Sequence, residues 1–284
     1  MKDKIYFSEV VLLTKTYSLQ DFEDWLFWHV NVVNFDHVMV FDNESTEDIK
    51  SVCEKYGSKV TYKLIKGWPN QYELYNKYVN EESRAWWVLT IDDDEFFYVS
   101  ERFNHNVNDV LMYLYEEHPD WTKLCVGWRN LFPKKFTEQR LDKHLIVNAT
   151  GWSDEASEIW QAGNKPVKTF VKTTRNYQWC RKNGLHTHDP MVNGCIMHGH
   201  TINNVPVKDG WQVEPTPSNS DLIIYHYQFK CNAEWVYKCK KRKSAASKYD
   251  WKNRPEIYKK LYRKDIKDDT RMIELWQKAS TLKA

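Results

Sequence analysis

The most constraining feature of the sequence is a strand–helix alternation that occurs four times within about the first 95 residues. Short runs of β-forming residues alternate with segments in which apolar side chains recur at helical spacing. We predict strands at 9–14, 37–41, 60–65 and 87–91, and a first helix at about 20–33. Such an alternation requires a mostly parallel sheet with right-handed crossovers. In sheets of this kind, ligands bind beyond the carboxyl ends of the strands.

Polar residues follow three of the predicted strands: Thr14-Lys15, Asp42-Asn43 and the run Asp92-Asp93-Asp94-Glu95. Adjacent carboxylates repel one another and raise one another's pKa unless a positive charge lies among them. A divalent cation is a natural partner, because oxygen ligands suit such ions. We therefore predict a polar ligand site with a metal ion at the edge where these strands end. The alternative is a solvated acidic turn after a buried strand.

Several common site classes are disfavoured. No GxGxxG or GxxxxGK(S/T) segment follows a predicted strand, which argues against a dinucleotide-binding Rossmann site and a P-loop. If phosphates bind, a metal must neutralise them instead. The six cysteines show no CxxC spacing, so a zinc cluster is not expected, and their scatter fits a reducing compartment. No leader or membrane-spanning apolar run is apparent, so we expect a cytoplasmic protein.

Composition adds two observations. Aromatic residues make up 15% of the chain, with 14 Trp and 17 Tyr, which favours a ring-lined surface for sugars or nucleobases, although large cores also use aromatics. Residues 230–284 hold 17 Lys/Arg and 7 Asp/Glu, whereas the remaining residues hold 24 and 32. This basic segment, which we expect to form one or two helices, could contact phosphates, an anionic membrane or nucleic acid, or simply be a solvated helical face.

Histidines supply candidates for the remainder of a metal shell. His186 and His188 lie two apart, as do His198 and His200, while His226 ends an apolar run that would hold it rigidly. A lone histidine is more often structural than a ligand. Two carboxylates and one imidazole nevertheless form a normal set for Mn²⁺ or Mg²⁺, with substrate phosphates in the other positions. His226 is therefore the preferred candidate.

Together these residues resemble a known group, the GT-A-fold nucleotide-sugar glycosyltransferases, and specifically the family 2-like set related to glycosyltransferase family 92. The resemblance covers roughly residues 8–245 and rests on the segments Asp24–His29, Phe35–Asp48, Gln71 with Tyr75-Asn76, Trp87–Phe97, Lys168–Lys172, His186–His188 and His226–Lys230. The combination of D-x-D-E-F after D-N-x-S with a later H-Y is its most specific part. The group's K-N-E after the first strand is here Lys15-Thr16-Tyr17.

The resemblance implies an α/β fold of GT-A (Rossmann-like) type: a mostly parallel central sheet flanked by helices, a mixed β and loop second half, and basic C-terminal helices. It divides the chain into a glycosyltransferase domain at 1–230 and a basic helical extension packed on it at 231–284. Within the domain, 1–100 would bind the nucleotide and 101–230 the acceptor. The implied activity is metal-dependent transfer of a sugar from a nucleoside-diphosphate sugar, with uridine expected, to a glycan or other hydroxyl acceptor, with inversion.

The resemblance also implies residue roles. Mn²⁺ or Mg²⁺ would be held by Asp92, Asp94 and His226. Asp42 would meet the nucleobase or ribose, and Lys230 would reach the diphosphate. The full donor-binding set is Thr14, Lys15, Asp42, Asn43, Gln71, Asp92, Asp93 and Lys230. Inversion needs a general base near the acceptor. The candidates are Asp154, Glu155, Glu158 and Asp189, with Trp152 and Trp160 as an aromatic floor for an acceptor sugar.

Two other functions remain open from the sequence. A metal-dependent phosphohydrolase or nuclease also uses carboxylates at strand ends, but it predicts a second acidic cluster near the first. A non-catalytic glycan- or nucleic-acid-binding module would use the aromatic residues and the basic segment, and would not need D-x-D-E-F. We expect no nucleic-acid partner, and we leave peripheral membrane contact through the basic C-terminus open. The sequence gives neither the donor sugar, the acceptor, the linkage nor the oligomeric state.

Overall fold

The computed structural model describes residues 3–67, 70–153, 164–174, 176–178, 181–182, 185–186, 190–192, 199–202, 206–208, 211–212, 216–217, 219–241, 259, 262 and 265–281. Its strands are β1 (Tyr6–Thr14), β2 (His37–Asp42), β3 (Val60–Leu64), β4 (Ala85–Ile91), β5 (Glu95–Val99), β6 (Lys123–Asn130), β7 (Gly151–Trp152), β8 (Val167–Lys172), β9 (Tyr177–Gln178), β10 (Arg181–Lys182), β11 (Leu185–His186), β12 (Met191–Val192), β13 (Gly199–His200), β14 (Pro206–Lys208), β15 (Trp211–Gln212), β16 (Leu222–His226) and β17 (Lys267–Asp268).

Seven α-helices are described: α1 (Leu19–Phe27), α2 (Ile49–Glu54), α3 (Gln71–Lys77), α4 (Val107–Glu117), α5 (Leu145–Asn148), α6 (Asn232–Lys241) and α7 (Arg271–Thr281). Two of them continue as π-helical turns, α1 through Trp28–Val32 and α3 through Tyr78–Glu82. Together with its turn, α1 corresponds to the helix that the apolar spacing predicts at about 20–33. No helix among the described residues is long and apolar enough to cross a membrane.

An eight-stranded sheet in the order β3-β2-β1-β4-β8-β6-β16-β5 forms the centre of the molecule. Strands β3, β2, β1 and β4 are parallel, as the alternation predicts. The interiors of β1, β2 and β4 are buried, because helices cover such a sheet on both faces, whereas β3 at the edge of the sheet buries only Val60. The structure confirms the predicted α/β class with a mostly parallel central sheet flanked by helices.

The second half of the sheet is mixed. Strand β8 runs antiparallel to both β4 and β6, β16 runs parallel to β6, and β5 is antiparallel to β16. These directions bring the start of β8, the start of β5 and the end of β16 to the edge where β1, β2 and β4 end. Residues far apart in the sequence therefore meet at this carboxyl edge.

Helix α1 and its π-helical turn cover the outer side of β5, the last strand of the sheet. The indole nitrogens of Trp25 and Trp28 donate hydrogen bonds to the carbonyls of Glu95 (2.9 Å) and Phe97 (2.7 Å). His29 lies 2.8 Å through Nδ1 from the Trp25 carbonyl and accepts from the Phe97 amide through Nε2 at 3.3 Å. Backbone groups that a terminal strand would otherwise leave unpaired are thus satisfied by side chains.

The C-terminal segment packs on the sheet and on α1. Trp276 of α7 makes an edge contact with Phe27 at 5.3 Å between ring centroids. Asp269 pairs with Arg129 at 2.6 Å and accepts from the Tyr225 hydroxyl at 2.7 Å, both partners being buried in the sheet. The division of the chain at residue 230 remains a prediction.

Candidate functional site

The acidic turn, defined as Asp92–Glu95, connects the end of β4 to the start of β5 at the carboxyl edge. It is closed by two hydrogen bonds: the Glu95 amide donates to the Asp92 carbonyl at 3.1 Å, and the Asp92 amide donates to Glu95 Oε2 at 2.8 Å. Asp94 and Glu95 are buried, while Asp92 and Asp93 are half-buried. The turn is therefore part of the packed edge of the sheet and not a freely solvated loop.

Lys168, at the start of β8, holds one side of the acidic turn. Its Nζ lies 3.0 Å from Asp92 Oδ2 and 3.0 Å from Glu95 Oε2, and its side chain is 3% exposed. Burial lowers the pKa of this ammonium, but Asp92 and Glu95 outweigh burial and raise it above its usual value. Burial also raises the pKa of Glu95 to about 7, against the opposing charge of Lys168. The predicted site set omitted Lys168, although a lysine within an apolar strand is a signal for a buried ion pair.

Asp94 contacts the opposite side of the site. Its Oδ1 lies 3.4 Å from His226 Nε2 at the end of β16, and its Oδ2 lies 3.1 Å from Lys238 Nζ on α6. Burial alone would raise the pKa of Asp94, but the charges of Lys238, His226 and Lys230 hold it well below its usual range. The structure brings Asp94 and His226, which are far apart in sequence, into contact, and their role as metal ligands stays a prediction. Lys238 was not predicted, because helical spacing alone does not show which lysine of a basic helix faces the sheet.

Asp92 and Asp94 diverge in this arrangement. Asp92 is directed to Lys168 and to Gln71, whose Nε2 donates to Asp92 Oδ1 at 3.3 Å, and Asp94 is directed to His226 and Lys238. Among the described residues, no three His, Cys, Asp or Glu side chains converge into a ready metal shell. Asp92 as a third metal ligand stays a prediction.

The Asp94–His226 pair nevertheless fits a divalent cation. Neighbouring ligands around one Mg²⁺ or Mn²⁺ are about 3 Å apart, close to the 3.4 Å between Asp94 Oδ1 and His226 Nε2. Mg²⁺ is commonly held by one or two protein ligands, with substrate phosphates and water completing the shell. Glu95 Oε1 and His226 Nδ1 are buried without a hydrogen-bond partner, so this polar cluster is not fully satisfied by the protein alone.

Other predicted donor-binding residues lie along the same edge, and three of them make hydrogen bonds within the protein that fix the loops there. The Thr14 hydroxyl donates to Asp93 Oδ2 at 2.6 Å. Asp42 accepts from the Ser45 amide and the Tyr62 hydroxyl, both at 2.8 Å, so both of its oxygens have partners within the protein. Asn43 donates to the carbonyls of Ile65 and Gly67 and links the loops after β2 and β3. Lys15 follows Thr14 and is half-buried.

Lys230 is placed beside this site and not directly on the acidic turn. Its ammonium pairs with Asp21 in the first turn of α1, where Arg140 also binds the carboxylate. Burial lowers the pKa of Lys230, but Asp21 and the acidic turn raise it overall. Its predicted contact with a diphosphate stays a prediction.

The four candidates for the general base, Asp154, Glu155, Glu158 and Asp189, lie outside the described residues, as do Trp160 and His188. Trp152 is described: it is buried in β7, and its ring stacks against the Arg129 guanidinium, 4.2 Å from the ring centroid. This contact gives the Trp152 ring a structural role. Its role as a floor for an acceptor sugar stays a prediction.

A separate cavity of about 290 Å³ lies among α1, α2, α5 and α7. Its lining includes Asp24 and His144, which are paired at 2.9 Å, and the Trp276 ring. None of the predicted donor or metal residues, all of which the structure describes, lines this cavity, so it is separate from the site at the carboxyl edge.

Comparison with protein-family models gave no match, and comparison with curated proteins gave none either. Among solved structures, the chain is similar to S. aureus TarS 1–349, with 13% identity over 78% of this chain and 60% of that one and a TM-score of 0.35. TarS 1–349 in complex with UDP-GlcNAc matches with 16% identity over 60% of this chain and 46% of that one, with a TM-score of 0.29.

A third similarity is to 4-diphosphocytidyl-2C-methyl-D-erythritol synthase from Anaerococcus prevotii, with 14% identity over 49% of this chain and 61% of that one and a TM-score of 0.30. The chain thus spans less than two thirds of the length of each of these structures. At such TM-scores the similarities carry no part of the functional argument, which rests on the chain's own residues.

Proposed function

We propose that this chain is a glycosyltransferase that uses a nucleoside-diphosphate sugar, with uridine as the expected base, and binds it at the carboxyl edge. One observation carries the proposal. The acidic turn places Asp94 against His226 at the edge where the polar ends of β1 and β2 also lie. In open α/β sheets this edge is the usual ligand site. A carboxylate–imidazole pair there suits a diphosphate accompanied by a divalent cation.

In the proposed mechanism, Asp94 and His226 would hold Mn²⁺ or Mg²⁺, with Asp92 as a third candidate. Bound there, the ion would supply Lewis-acid chemistry that neutralises the diphosphate and stabilises the leaving nucleoside diphosphate. Lys168 fixes Asp92 and Glu95. Asp42 accepts a hydrogen bond from the Ser45 amide and so fixes the loop after β2, which would contact the nucleoside. A base among Asp154, Glu155, Glu158 and Asp189 would take the acceptor proton in an inverting displacement at the anomeric carbon.

Substitution of Asp94 tests the proposal directly. We expect Asp94→Asn to lower Mn²⁺-dependent sugar transfer by roughly 100-fold or more, because a metal ligand is lost. The matched control is Asp120→Asn, which changes an exposed aspartate remote from the carboxyl edge. Thermal melting with a panel of nucleotide sugars, with and without Mn²⁺, identifies the donor, since a ligand that binds the native state raises the melting temperature.

Two results would contradict the proposal: unchanged transfer in Asp94→Asn, or a wild-type protein whose melting no nucleoside diphosphate or nucleotide sugar shifts. Release of free sugar or phosphate at the same rate with and without any acceptor would instead favour the phosphohydrolase alternative. Binding of a glycan without turnover of any donor would favour the non-catalytic module.

We also propose that the basic C-terminal segment, with its excess of 17 Lys/Arg over 7 Asp/Glu, contacts an anionic membrane surface. Co-sedimentation with vesicles containing phosphatidylserine should then be strong at about 0.05 M salt and weak at about 0.5 M, because salt screens these charges. Neutral phosphatidylcholine vesicles are the control. Absence of binding to anionic vesicles at low salt would remove this contact from the proposal.

A further inference from the structure

Three lysines lie near the acidic turn, one on β8, one in the segment between β16 and α6, and one on α6, and they are not equivalent. Lys168 is 3% exposed and bridges two carboxylates. Lys230 is fixed against Asp21, whose carboxylate is shared with Arg140. Lys238 is 23% exposed and pairs with Asp94 Oδ2 at 3.1 Å. Of these three lysines, Lys238 is the one that contacts Asp94 directly, and it is also accessible to solvent.

The backbone that carries Lys238 is firmly placed. Trp235 and Cys239 of α6 are buried, and the Trp235 ring lies 4.8 Å from that of Phe229. The amide of Asn232 also donates to the Thr137 carbonyl at the start of the helix. A change of partner at Lys238 therefore needs only a rearrangement of its flexible side chain, since an ammonium on a four-carbon stem can redirect without moving the helix.

The charges around Lys238 determine which partner its ammonium contacts. With no other cation at Asp94, the Lys238 ammonium contacts the carboxylate and is the largest of the charges that offset it, ahead of His226 and Lys230. A divalent ion bound at Asp94 would place two like charges beside the ammonium and repel it. The diphosphate that accompanies the ion carries negative charge and offers oxygens suited to a charged hydrogen bond.

We propose that Lys238 exchanges partners when the site fills: it pairs with Asp94 in the empty site, and it binds the donor diphosphate when a divalent cation occupies Asp94. This inference rests on the proposed function and adds to it a residue with opposite effects on the two ligands. Lys238 competes with the cation and assists the nucleotide. A purely structural lysine, or one that only binds phosphate, would not produce this pair of effects.

The test uses Lys238→Met in the full chain, which removes the charge and keeps the length of the stem. Lys278→Met, at an exposed position of α7, is the matched control. Mn²⁺ binding is measured without nucleotide from the electron paramagnetic resonance signal of free Mn²⁺. Binding of UDP, GDP and ADP is measured by calorimetry at saturating Mn²⁺, and the tightest is used for comparison. Asp94→Asn serves as the variant that should lose Mn²⁺.

We expect Lys238→Met to bind Mn²⁺ about fivefold more tightly, the effect of removing a partly exposed ion pair. We expect it to bind the nucleoside diphosphate roughly tenfold more weakly, because a charged hydrogen bond is lost. Unchanged Mn²⁺ affinity, or a loss of affinity for both ligands, would overturn the exchange while leaving the proposed function in place. Failure of the wild type to bind Mn²⁺ and any of the three nucleotides would overturn both.

Discussion

At the scale of single residues, the carboxyl edge depends on a lysine that local sequence patterns do not assign to it. The polar ends of β1, β2 and β4 could be predicted because each follows an apolar strand directly. Lys168 reaches the acidic turn only because β8 pairs antiparallel with β4, with Phe170 opposite Leu89. That pairing joins segments about 80 residues apart, so no local pattern contains it. The contact between Lys168 and Asp92 is unpredictable from the sequence for the same reason.

Replacement of Lys168 by Met should strongly destabilise the fold, because it leaves the buried carboxylate of Glu95 and the adjacent Asp92 without their cation. We expect a loss of about 3 kcal/mol in the free energy of unfolding, measured by urea denaturation. Lys172→Met, on the same strand but at a partly exposed position, should cost less than about 1 kcal/mol. Adding Glu95→Gln to Lys168→Met should recover part of the loss, and an equal cost for both single variants would refute the assignment.

At the scale of elements, α1 shows what apolar periodicity can and cannot predict. The spacing of Phe22, Trp25 and Trp28 indicates a buried helix, and the structure has one. The π-helical turn from Trp28 is not encoded in that spacing. It coincides with the bonds that Trp28 and His29 make to β5, which are tertiary contacts. Burial lowers the pKa of His29 to about 3, which keeps the ring neutral and able to accept from the Phe97 amide.

Trp28→Phe should test this contact between helix and strand. The change removes the donor to the Phe97 carbonyl and part of a fully buried ring. We expect the free energy of unfolding to fall by about 2–4 kcal/mol, because one buried carbonyl loses its hydrogen bond and a small cavity forms. Trp86→Phe is the control, because Trp86 is exposed at the start of β4. Hydrogen exchange should also accelerate at the β5 amides in Trp28→Phe, and unchanged protection there would show that the indole bond does not hold the strand.

At the scale of the whole molecule, Asp269 ties the C-terminal segment to the sheet. It lies just before α7 and contacts Arg129 of β6, Tyr225 of β16 and the nearby Arg271. Burial raises the pKa of Asp269, but hydrogen bonds and charges from Arg271, Tyr225 and Arg129 outweigh it and lower the pKa to about 2. The sequence predicts basic C-terminal helices, but it gives no sign that one acid before them anchors the end of the chain.

This anchor predicts a specific acid sensitivity. Because the folded pKa of Asp269 is below the unfolded value of 3.8, its contribution to stability is present above pH 3.8 and is lost as the pH falls towards about 2. This lowering of the Asp269 pKa corresponds to about 2 kcal/mol in the free energy of unfolding. Asp269→Asn should be less stable at pH 7 by about 3 kcal/mol, since buried Arg129 loses its counter-charge, and should lose correspondingly less stability on acidification. Urea denaturation at several pH values checks this, and an acid profile identical to that of Asp120→Asn would contradict it.

The packing of α1 against β5 also affects the tendency of the chain to aggregate. An apolar terminal strand with open backbone groups is a template for pairing with a second chain. Here Trp25, Trp28 and His29 occupy those groups, so a further strand cannot add along β5. A chain whose α1 has not docked would expose this template, so we expect it to be more prone to aggregation. Light scattering during refolding should accordingly rise in Trp28→Phe and stay unchanged in Trp86→Phe.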